Sequence, residues 1–255
     1  MTSAGRVGAN LATLANAVLG VGAILYTLGG NKLWAMLLIG CGIGFDGLDG
    51  ILSRRAGGPP SRSGRVLDSV ADAITFGLAP GTLIAVHTEH ASLWTPWNSY
   101  ALLAGGFISV LAVGRLVYFT WRGWQHPHFV GASTPQNALA VIVLVLFFDD
   151  PAFFGTNPSF VLIAAPLLAL LMVLPIPYPK LRRGMSLRWV MIGTAVALGV
   201  SLVPLQFRPA WGTPFFLLGE SAAIVAAAGL AAYYILGPRA ARAATATRDA
   251  GVMHG

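Results

Sequence analysis

Long apolar stretches, separated by short polar segments, recur along the whole chain. A helix that crosses a membrane needs about 20 consecutive apolar residues, and eight stretches reach or approach that length. The fifth stretch is short for a crossing, so seven helices is the alternative count. The eight predicted spans are residues 8–28, 33–53, 66–87, 100–120, 134–148, 159–176, 188–205 and 214–236.

The amino-acid composition agrees with this pattern. Apolar residues make up 56% of the 255 residues and charged residues only 10%, with a mean hydropathy of +0.71. A soluble domain usually carries about 25% charged residues. The chain is therefore predicted to be an all-α integral membrane protein, a bundle of about eight transmembrane helices.

Lysine and arginine predict the orientation of the bundle. Of the 16 basic residues, all but Lys32 and Arg208 fall on one side of the predicted spans. The positive-inside rule makes that side cytoplasmic, so both termini are expected in the cytoplasm of a protein of the cell membrane. The net charge of +7 then reflects topology and attraction to anionic headgroups rather than nucleic-acid binding.

One membrane domain is expected at residues 1–236, followed by a disordered basic cytoplasmic tail at residues 237–255. The first apolar stretch lacks a small-residue cleavage pattern and is predicted to be a retained helix rather than a signal peptide. Cys41 is the one cysteine, so neither an internal disulfide nor a cysteine metal cluster is expected.

Four of the nine acidic residues lie in one short window that is otherwise apolar. Asp46 and Asp49 are three residues apart in the second span, and Asp68 and Asp72 are four apart in the third. Each pair therefore shares one helix face, and an antiparallel helix pair brings both to the same depth. A carboxylate beside hydrocarbon costs several kcal/mol unless it is paired, hydrated or bound to a cation.

The acidic window predicts a site for one or two hard divalent cations. Carboxylate oxygens suit Mg²⁺, Mn²⁺ or Ca²⁺, and the window contains no histidine or cysteine that would favour zinc. Gly47 and Gly50 remove side-chain bulk beside the carboxylates. Arg54 can make a bidentate phosphate contact, and Gly64 opens the third helix, where free N–H groups favour anions. The combination indicates metal-assisted chemistry on a phosphate or pyrophosphate.

This window resembles the signature of the CDP-alcohol phosphatidyltransferase family. The signature reads D-x-x-D-G-x-x-A-R, a short loop, then G-x-x-x-D-x-x-x-D, and Ser53 stands where alanine is usual. The resemblance implies CDP-diacylglycerol as donor, Mg²⁺ or Mn²⁺ bound by the four aspartates, and Asp72 also as general base. The matching residues are Asp46, Asp49, Gly50, Arg54, Gly64, Asp68 and Asp72.

Segments outside the window resemble the branch of that family that makes phosphatidylserine. They are residues 67–80, 114–119, 129–135 and 171–179. The resemblance implies transfer of a phosphatidyl group to the hydroxyl of L-serine, with release of CMP, by a homodimer. Departures at Val117 and at Ala132 and Ser133 leave inositol phosphate and glycerol phosphate as alternative acceptors.

A polar face on the first span supplies further candidates. Asn10, Thr13 and Asn16 recur at spacings of three. They face either the headgroup of CDP-diacylglycerol or a neighbouring helix, to which they would hydrogen-bond.

Three residues further along the chain are candidates for binding the acceptor. Arg115, in an apolar helix end, either binds the serine carboxylate or a phosphate, or extends to the membrane interface. Tyr178 and Arg182 lie near a basic cluster that could bind an anionic substrate, although topology alone explains such a cluster.

Other polar residues are weaker candidates. His126 and His128 flank a proline in a predicted loop, where histidines are usually solvated. Glu220, in the last span, is expected to hydrogen-bond between helices. A cation transporter is the alternative class of protein, but it leaves Arg54 and the glycines without a role and lacks the repeated halves typical of transporters.

Overall fold

The structure is a computed structural model that describes seven ranges of the chain. Arg182, predicted to bind the acceptor, lies outside the described residues, as do His126 and His128. The described ranges are 3–56, 62–86, 96–122, 129–149, 158–178, 185–206 and 213–252.

Within these ranges the fold consists of nine α-helices, one π-helical segment and two very short strands. The helices are α1 Ser3–Leu28, α2 Lys32–Ala56, α3 Arg62–Asp72, α4 Ala79–Ala85, α5 Pro96–Arg122, α6 Thr134–Asp149, α7 Pro158–Leu170, α8 Met185–Gln206 and α9 Thr213–Val252. The π-helical segment, Ala73–Leu78, joins α3 to α4, while β1 is Phe129–Val130 and β2 is Pro177–Tyr178.

Every predicted span overlaps helix in the structure. Four helices, α1, α2, α5 and α9, contain a stretch long and apolar enough to cross a membrane. Shorter apolar helical stretches belong to α6, α7 and α8. The prediction of an all-α membrane protein is confirmed, whereas the count of eight crossings and the cytoplasmic location of both termini stay predictions.

The third predicted span is interrupted rather than regular. α3 ends at Asp72, the π-helical segment follows at once, and α4 begins at Ala79. Thr75, Phe76 and Gly77 of that segment are buried, so the wider turn faces the inside of the bundle. Single π turns inside α-helices are frequent at functional sites, because they change the direction of the side chains that follow.

The sixth predicted span is shorter than expected. α7 ends at Leu170, and a turn and an extended segment, residues 171–176, lead into β2. Pro175 and Pro177 keep the segment after the turn from continuing as helix, because proline lacks a backbone donor and disfavours helix in the residue before it.

The two strands hold the loop before α6 against the end of α7. They pair antiparallel, with Tyr178 opposite Phe129, and the N–H of Gly131 donates to the carbonyl of Ile176 at 2.9 Å. Gly131 has a φ of 75°, and a Cβ there would overlap the carbonyl of Met172. Both the conformation and the close approach therefore require glycine.

The last helix extends beyond the predicted span. The sequence predicts a span that ends at residue 236 and a disordered tail from residue 237, whereas α9 continues to Val252. Alanine and arginine, the commonest residues of this extension, are among the strongest helix formers, and Pro238 is accommodated inside the helix. Residues 237–252 are therefore helical in the structure.

Large apolar side chains point outward as well as inward. On α1, Leu11, Val18 and Leu25 are 61%, 63% and 63% exposed and recur every seven residues along one face. An exposed apolar surface of this kind suits contact with lipid. Apolar side chains thus lie on both sides of the helices, and polar side chains buried inside the bundle need hydrogen-bond partners or a ligand there.

Candidate active site

Three carboxylates of the acidic window converge in the structure. Asp46 is in the second half of α2, and Asp68 and Asp72 are one turn apart at the end of α3. One oxygen atom from each side chain lies within 4.8 Å of the other two, and none of the three side chains is classed as exposed. Asp46 lies ten residues before the end of α2 at Ala56, and Asp72 lies ten residues after the beginning of α3 at Arg62. The short connection between the two helices therefore brings these residues to a similar depth.

The geometry fits a divalent cation. Oxygen ligands on opposite sides of one Mg²⁺ are about 4.2 Å apart, and around Ca²⁺ they are somewhat further apart. The 4.8 Å limit that encloses the three carboxylate oxygens is close to both values. Three negative charges this close would repel each other strongly inside a membrane protein unless a cation lies between them.

Asp49 lies beside the three carboxylates and is held from α1. Its side chain is 7% exposed, and Thr13 Oγ1 donates a hydrogen bond of 2.8 Å to its Oδ2 atom. Its carboxylate also interacts electrostatically with that of Asp68. The compact group of oxygens does not include Asp49. Its predicted role as a metal ligand therefore stays a prediction.

Asn16 positions the last aspartate of the cluster. Its Nδ2 atom donates to Asp72 Oδ1 at 3.1 Å, while Thr75 Oγ1 donates to its backbone carbonyl at 2.8 Å. The two bonds tie α1 to both ends of the junction between α3 and the π-helical segment. Thr13 and Asn16 therefore make the interhelical hydrogen bonds that were one of the two expectations for α1. Asn10, the third residue of that face, is exposed.

Close packing around Thr75 keeps these helices in place. A Cβ at Gly20 of α1 would lie 2.8 Å from the Thr75 Cα atom. At Gly42 of α2 it would lie 2.5 Å from Thr75 Cγ2 and 2.9 Å from Asn16 Oδ1. Both glycines therefore allow α1 and α2 to approach the π-helical segment directly behind Asp72.

The residues predicted to bind phosphate flank the carboxylates. Gly50 is half-buried in α2, and Gly64 lies in the first turns of α3. Arg54 belongs to the last turn of α2 by its backbone, and its side chain lies outside the described part of the structure. A Cβ at Gly47 would meet no atom within 4 Å, so there is room beside Asp46. The binding roles of these residues stay predictions.

Arg115 lies inside the bundle rather than at the membrane interface. Its side chain is 5% exposed; Nε donates to the carbonyl of Met172 at 3.2 Å, and Nη1 donates to Thr134 Oγ1 at 3.0 Å. Its guanidinium carbon is 4.9 Å from the ring centroid of Phe119, a cation–π contact. Arg115 thus connects α5, α6 and the turn after α7, which contradicts the expectation that it extends to the interface.

Tyr178 joins the same region from β2. Its side chain is 1% exposed, and its ring stacks on that of Tyr233 in α9, with centroids 5.2 Å apart. Burial raises the pKa of the Tyr178 phenol above its ordinary value, so its hydroxyl remains protonated at neutral pH. The charge of Arg115 interacts with both Tyr233 and Asp72. This region therefore adjoins the carboxylate cluster.

Sequence reasoning missed two residues of this region. Tyr233 is 1% exposed in α9, and Asn137 is 0% exposed in α6. Neither polar atom of the Asn137 amide has a hydrogen-bond partner among the described residues. Asn137 could have been noticed in the sequence, because it is an asparagine followed by a long apolar run. Tyr233 could not, because its role depends on where α9 packs. Glu220, half-buried in α9, is not part of the carboxylate cluster.

The structure thus defines a helical membrane protein whose second and third helices bring together three carboxylates that could hold a cation. The family model of CDP-alcohol phosphatidyltransferases matches residues 6–201, which include this site and exclude α9. The chain belongs to the CDP-alcohol phosphatidyltransferase family.

Several relatives carry names that specify a reaction. A CDP-diacylglycerol–serine O-phosphatidyltransferase of Mycobacterium tuberculosis is 32% identical over 151 residues, 55% of this chain and 51% of its own length. One of Bacillus subtilis is 30% identical over 172 residues, 67% of this chain and 89% of its own. An archaetidylserine synthase of Methanothermobacter thermautotrophicus is 27% identical over 172 residues, 67% of this chain and 69% of its own. The chain spans about half the length of the mycobacterial relatives.

Proposed function

We propose that this protein transfers a phosphatidyl group from CDP-diacylglycerol to the hydroxyl of L-serine, giving phosphatidylserine and CMP. The observation that carries the proposal is the convergence of Asp46, Asp68 and Asp72 within the signature of a family of phosphatidyltransferases. Family membership favours this activity over cation transport, because it gives the glycines and Arg54 a role beside the carboxylates.

The carboxylate cluster is proposed to bind Mg²⁺ or Mn²⁺. Asp46, Asp68 and Asp72 would hold the ion, with Asp49 as a fourth ligand or as the ligand of a second ion. When bound, a divalent cation neutralises charge on the pyrophosphate as charge builds up on the oxygen of the leaving group. Asn16 and Thr13 support the cluster by restraining Asp72 and Asp49, and such supporting hydrogen bonds typically affect metal affinity or activity 10–100-fold.

The donor is proposed to lie with its acyl chains in the bilayer and its pyrophosphate beside the cluster. Gly50, Arg54 and Gly64 would bind the phosphates of the CDP group, and the open space at Gly47 supports an approach from this side. Asn10, being exposed, is available to the headgroup. Thr13 and Asn16 would act on the donor mainly through the aspartates that they already bind.

The chemical step is a substitution at the phosphorus that carries diacylglycerol. The serine hydroxyl oxygen forms a bond to that phosphorus, and the bond from the phosphorus to the bridging oxygen of CMP breaks. CMP leaves with the electron pair of the broken bond, and Asp72 accepts the proton of the hydroxyl. The Asn16 amide, which donates to Asp72 Oδ1, orients this carboxylate so that its other oxygen is free for the proton.

Serine is proposed as the acceptor on two grounds. Relatives from two bacteria and one archaeon are named for serine even though the lipid part of their names differs. Arg115 is buried and interacts electrostatically with Asp72, and this one cation suits the single carboxylate of serine. Tyr178, also buried, is proposed to assist from beside Tyr233. Arg182 is proposed to assist acceptor binding from outside the described residues.

The proposed setting is the cell membrane. The eight crossings rest on the apolar stretches, and the cytoplasmic termini and active site rest on the positive-inside rule. Residues 1–236 would form the transferase domain. We also propose a homodimer, as the family resemblance implies.

The test is release of CMP by the purified full chain in detergent with CDP-diacylglycerol, Mg²⁺ and a panel of acceptors. L-serine should support release, while glycerol 3-phosphate and inositol phosphate should not. If only a phosphate acceptor supports CMP release, serine is not the acceptor, although the reaction class is retained. Ion flux in proteoliposomes without any CMP release would contradict the reaction class itself.

A further inference from the structure

Next to the carboxylate cluster lies a second group of buried polar side chains, contributed by α5, α6, β2 and α9. Arg115 is at its centre and is within electrostatic reach of Asp72. Two of its nitrogens are hydrogen-bonded, but Nη2 is buried and has no partner among the described residues. A buried guanidinium nitrogen that lacks a partner is costly unless a ligand supplies an oxygen atom.

α6 supplies uncharged groups to the same region. Thr134 accepts a hydrogen bond from Arg115, and Asn137 lies one turn further on, with its N–H bonded to the carbonyl of Ser133 at 3.1 Å. Residues three and four apart share a helix face, so Asn137 is on the side of Thr134 and Ser133. Both atoms of its fully buried amide lack a partner in the described part of the chain. They are therefore available to a polar ligand.

α9 covers this region from the other side. The Tyr233 phenol interacts electrostatically with Ser133, and its ring stacks on that of Tyr178, with centroids 5.2 Å apart. Tyr233 is 1% exposed, so the ring forms a wall rather than an opening. This wall lies outside residues 6–201, the part of the chain that matches the family model.

We propose that these side chains form an acceptor chamber in which Arg115 binds the carboxylate of an amino acid while Asn137 and Tyr233 bind its ammonium group. The chamber is defined by Arg115, Ser133, Thr134, Asn137, Tyr178 and Tyr233. The inference deepens the proposed function and rests on it for the identity of the acceptor. It assigns α9 a part in selecting that acceptor.

The charges of the chamber favour a zwitterion over a phosphate. Within the described residues Arg115 is the only cation of the chamber, and it is already hydrogen-bonded to neutral oxygens. One guanidinium matches one carboxylate, whereas a phosphate monoester carries close to two negative charges at neutral pH. An ammonium group could donate hydrogen bonds to the Asn137 carbonyl oxygen and to the Tyr233 hydroxyl. Phosphate oxygens would find no second cation among these side chains.

The decisive experiment measures binding of radiolabelled L-serine to the purified full chain in detergent, without the lipid donor. Tyr233→Phe removes one hydroxyl and retains the stacked ring, and Asn137→Leu replaces the amide by an apolar group of similar size. Each change should weaken serine binding about tenfold, the loss expected for about 1.4 kcal/mol. Tyr26→Phe is the matched control, because it removes the same atom from a tyrosine that is 45% exposed on α1. Unlabelled serine should displace the label, and glycerol 3-phosphate should not.

The outcomes separate the chamber from the proposed function. The proposed chamber is contradicted if Tyr233→Phe binds serine within twofold of the wild type. It is also contradicted if glycerol 3-phosphate displaces the label as effectively as serine does. The chamber is also overturned if the wild-type chain binds no serine. If the wild type binds serine and both variants weaken it, but no CMP is released with CDP-diacylglycerol and Mg²⁺, the chamber stands and the proposed reaction is wrong. If Asn137→Leu does not fold, Tyr233→Phe alone carries the test, because it leaves the packing of the ring intact.

Discussion

The carboxylate cluster and the acceptor chamber are neighbours, but their side chains differ in charge and in exposure. The cluster has three negative charges on two consecutive helices and open space at Gly47. The chamber has one positive charge, neutral polar groups and stacked rings from four segments far apart in the chain. A site for a cation and a pyrophosphate needs accumulated charge and access. A site for a small zwitterion needs a matched charge and enclosure.

The two regions should also differ in what they contribute to stability. The carboxylates repel each other until a cation binds, so the cluster is a source of instability in the metal-free protein. Arg115, by contrast, joins α5 to α6 and to the turn after α7 through two hydrogen bonds. Mutations should therefore change activity and stability in opposite senses in the cluster and in the same sense in the chamber.

Removal of divalent cations should have the largest effect. EDTA is expected to abolish CMP release, because the cluster would then present only repulsive charge to a pyrophosphate. Added Mg²⁺ or Mn²⁺ should restore release, and serine binding to the chamber should be unchanged throughout. Full activity after exhaustive chelation would contradict the role of the cluster.

Asp68→Asn should lower CMP release about 10³-fold, the effect of losing about 4 kcal/mol of charge stabilisation. In EDTA the same variant should melt at a higher temperature than the wild type, because one of three clustered charges is gone. Glu220→Gln is the matched control, since it neutralises a half-buried acid of α9 outside the cluster. An Asp68→Asn protein that is inactive and also less stable in EDTA would indicate a structural role instead.

Arg115→Lys should lower both activity and stability. Lysine cannot reproduce the fork of donors that reaches Met172 and Thr134, and loss of a hydrogen bond to a charged group costs about 2 kcal/mol. The Michaelis constant for serine should rise more than that for CDP-diacylglycerol. An equal rise in both constants, or an unchanged melting temperature, would argue against this assignment.

Thr13→Val should have the smallest effect. It removes the hydroxyl that donates to Asp49 and should lower CMP release about fivefold, in line with about 1 kcal/mol for one hydrogen bond. Thr27→Val is the matched control, because Thr27 is also buried in α1 but donates only to Ala23 of its own helix in the described contacts. Equal losses in the two variants would show that Asp49 does not depend on α1.

The cluster could be predicted from the sequence because its parts are local. Asp46, Asp68 and Asp72 lie on two consecutive helices, and helical periodicity alone assigns each to a face. Asn16 also belonged to a recognisable polar face of α1, although the pattern left open whether it met a ligand or another helix. Its bond to Asp72 shows contact with another helix, and that helix carries the site.

The chamber could not be predicted in the same way. Arg115 was expected either to bind an anion or to extend to the interface, and only packing shows that it points inward. Tyr233 is more than 50 residues from Tyr178 in sequence, and no periodicity links the two rings. The extension of α9 and the early end of α7 were likewise missed, because alanine content and two prolines acted against the hydrophobic pattern.

By itself, the sequence determined that this chain is a helical membrane protein and that aspartates of two consecutive helices, Asp46, Asp68 and Asp72 among them, come together. Both follow from short-range physics: the length of apolar stretches and the spacing of residues along one helix. Only the tertiary structure decided that Arg115 is buried, that a π-helical turn follows Asp72, and that α9 covers the chamber. These features depend on contacts between helices that are distant in the chain. There, close packing and the need of buried polar groups for hydrogen-bond partners determine which side chains meet.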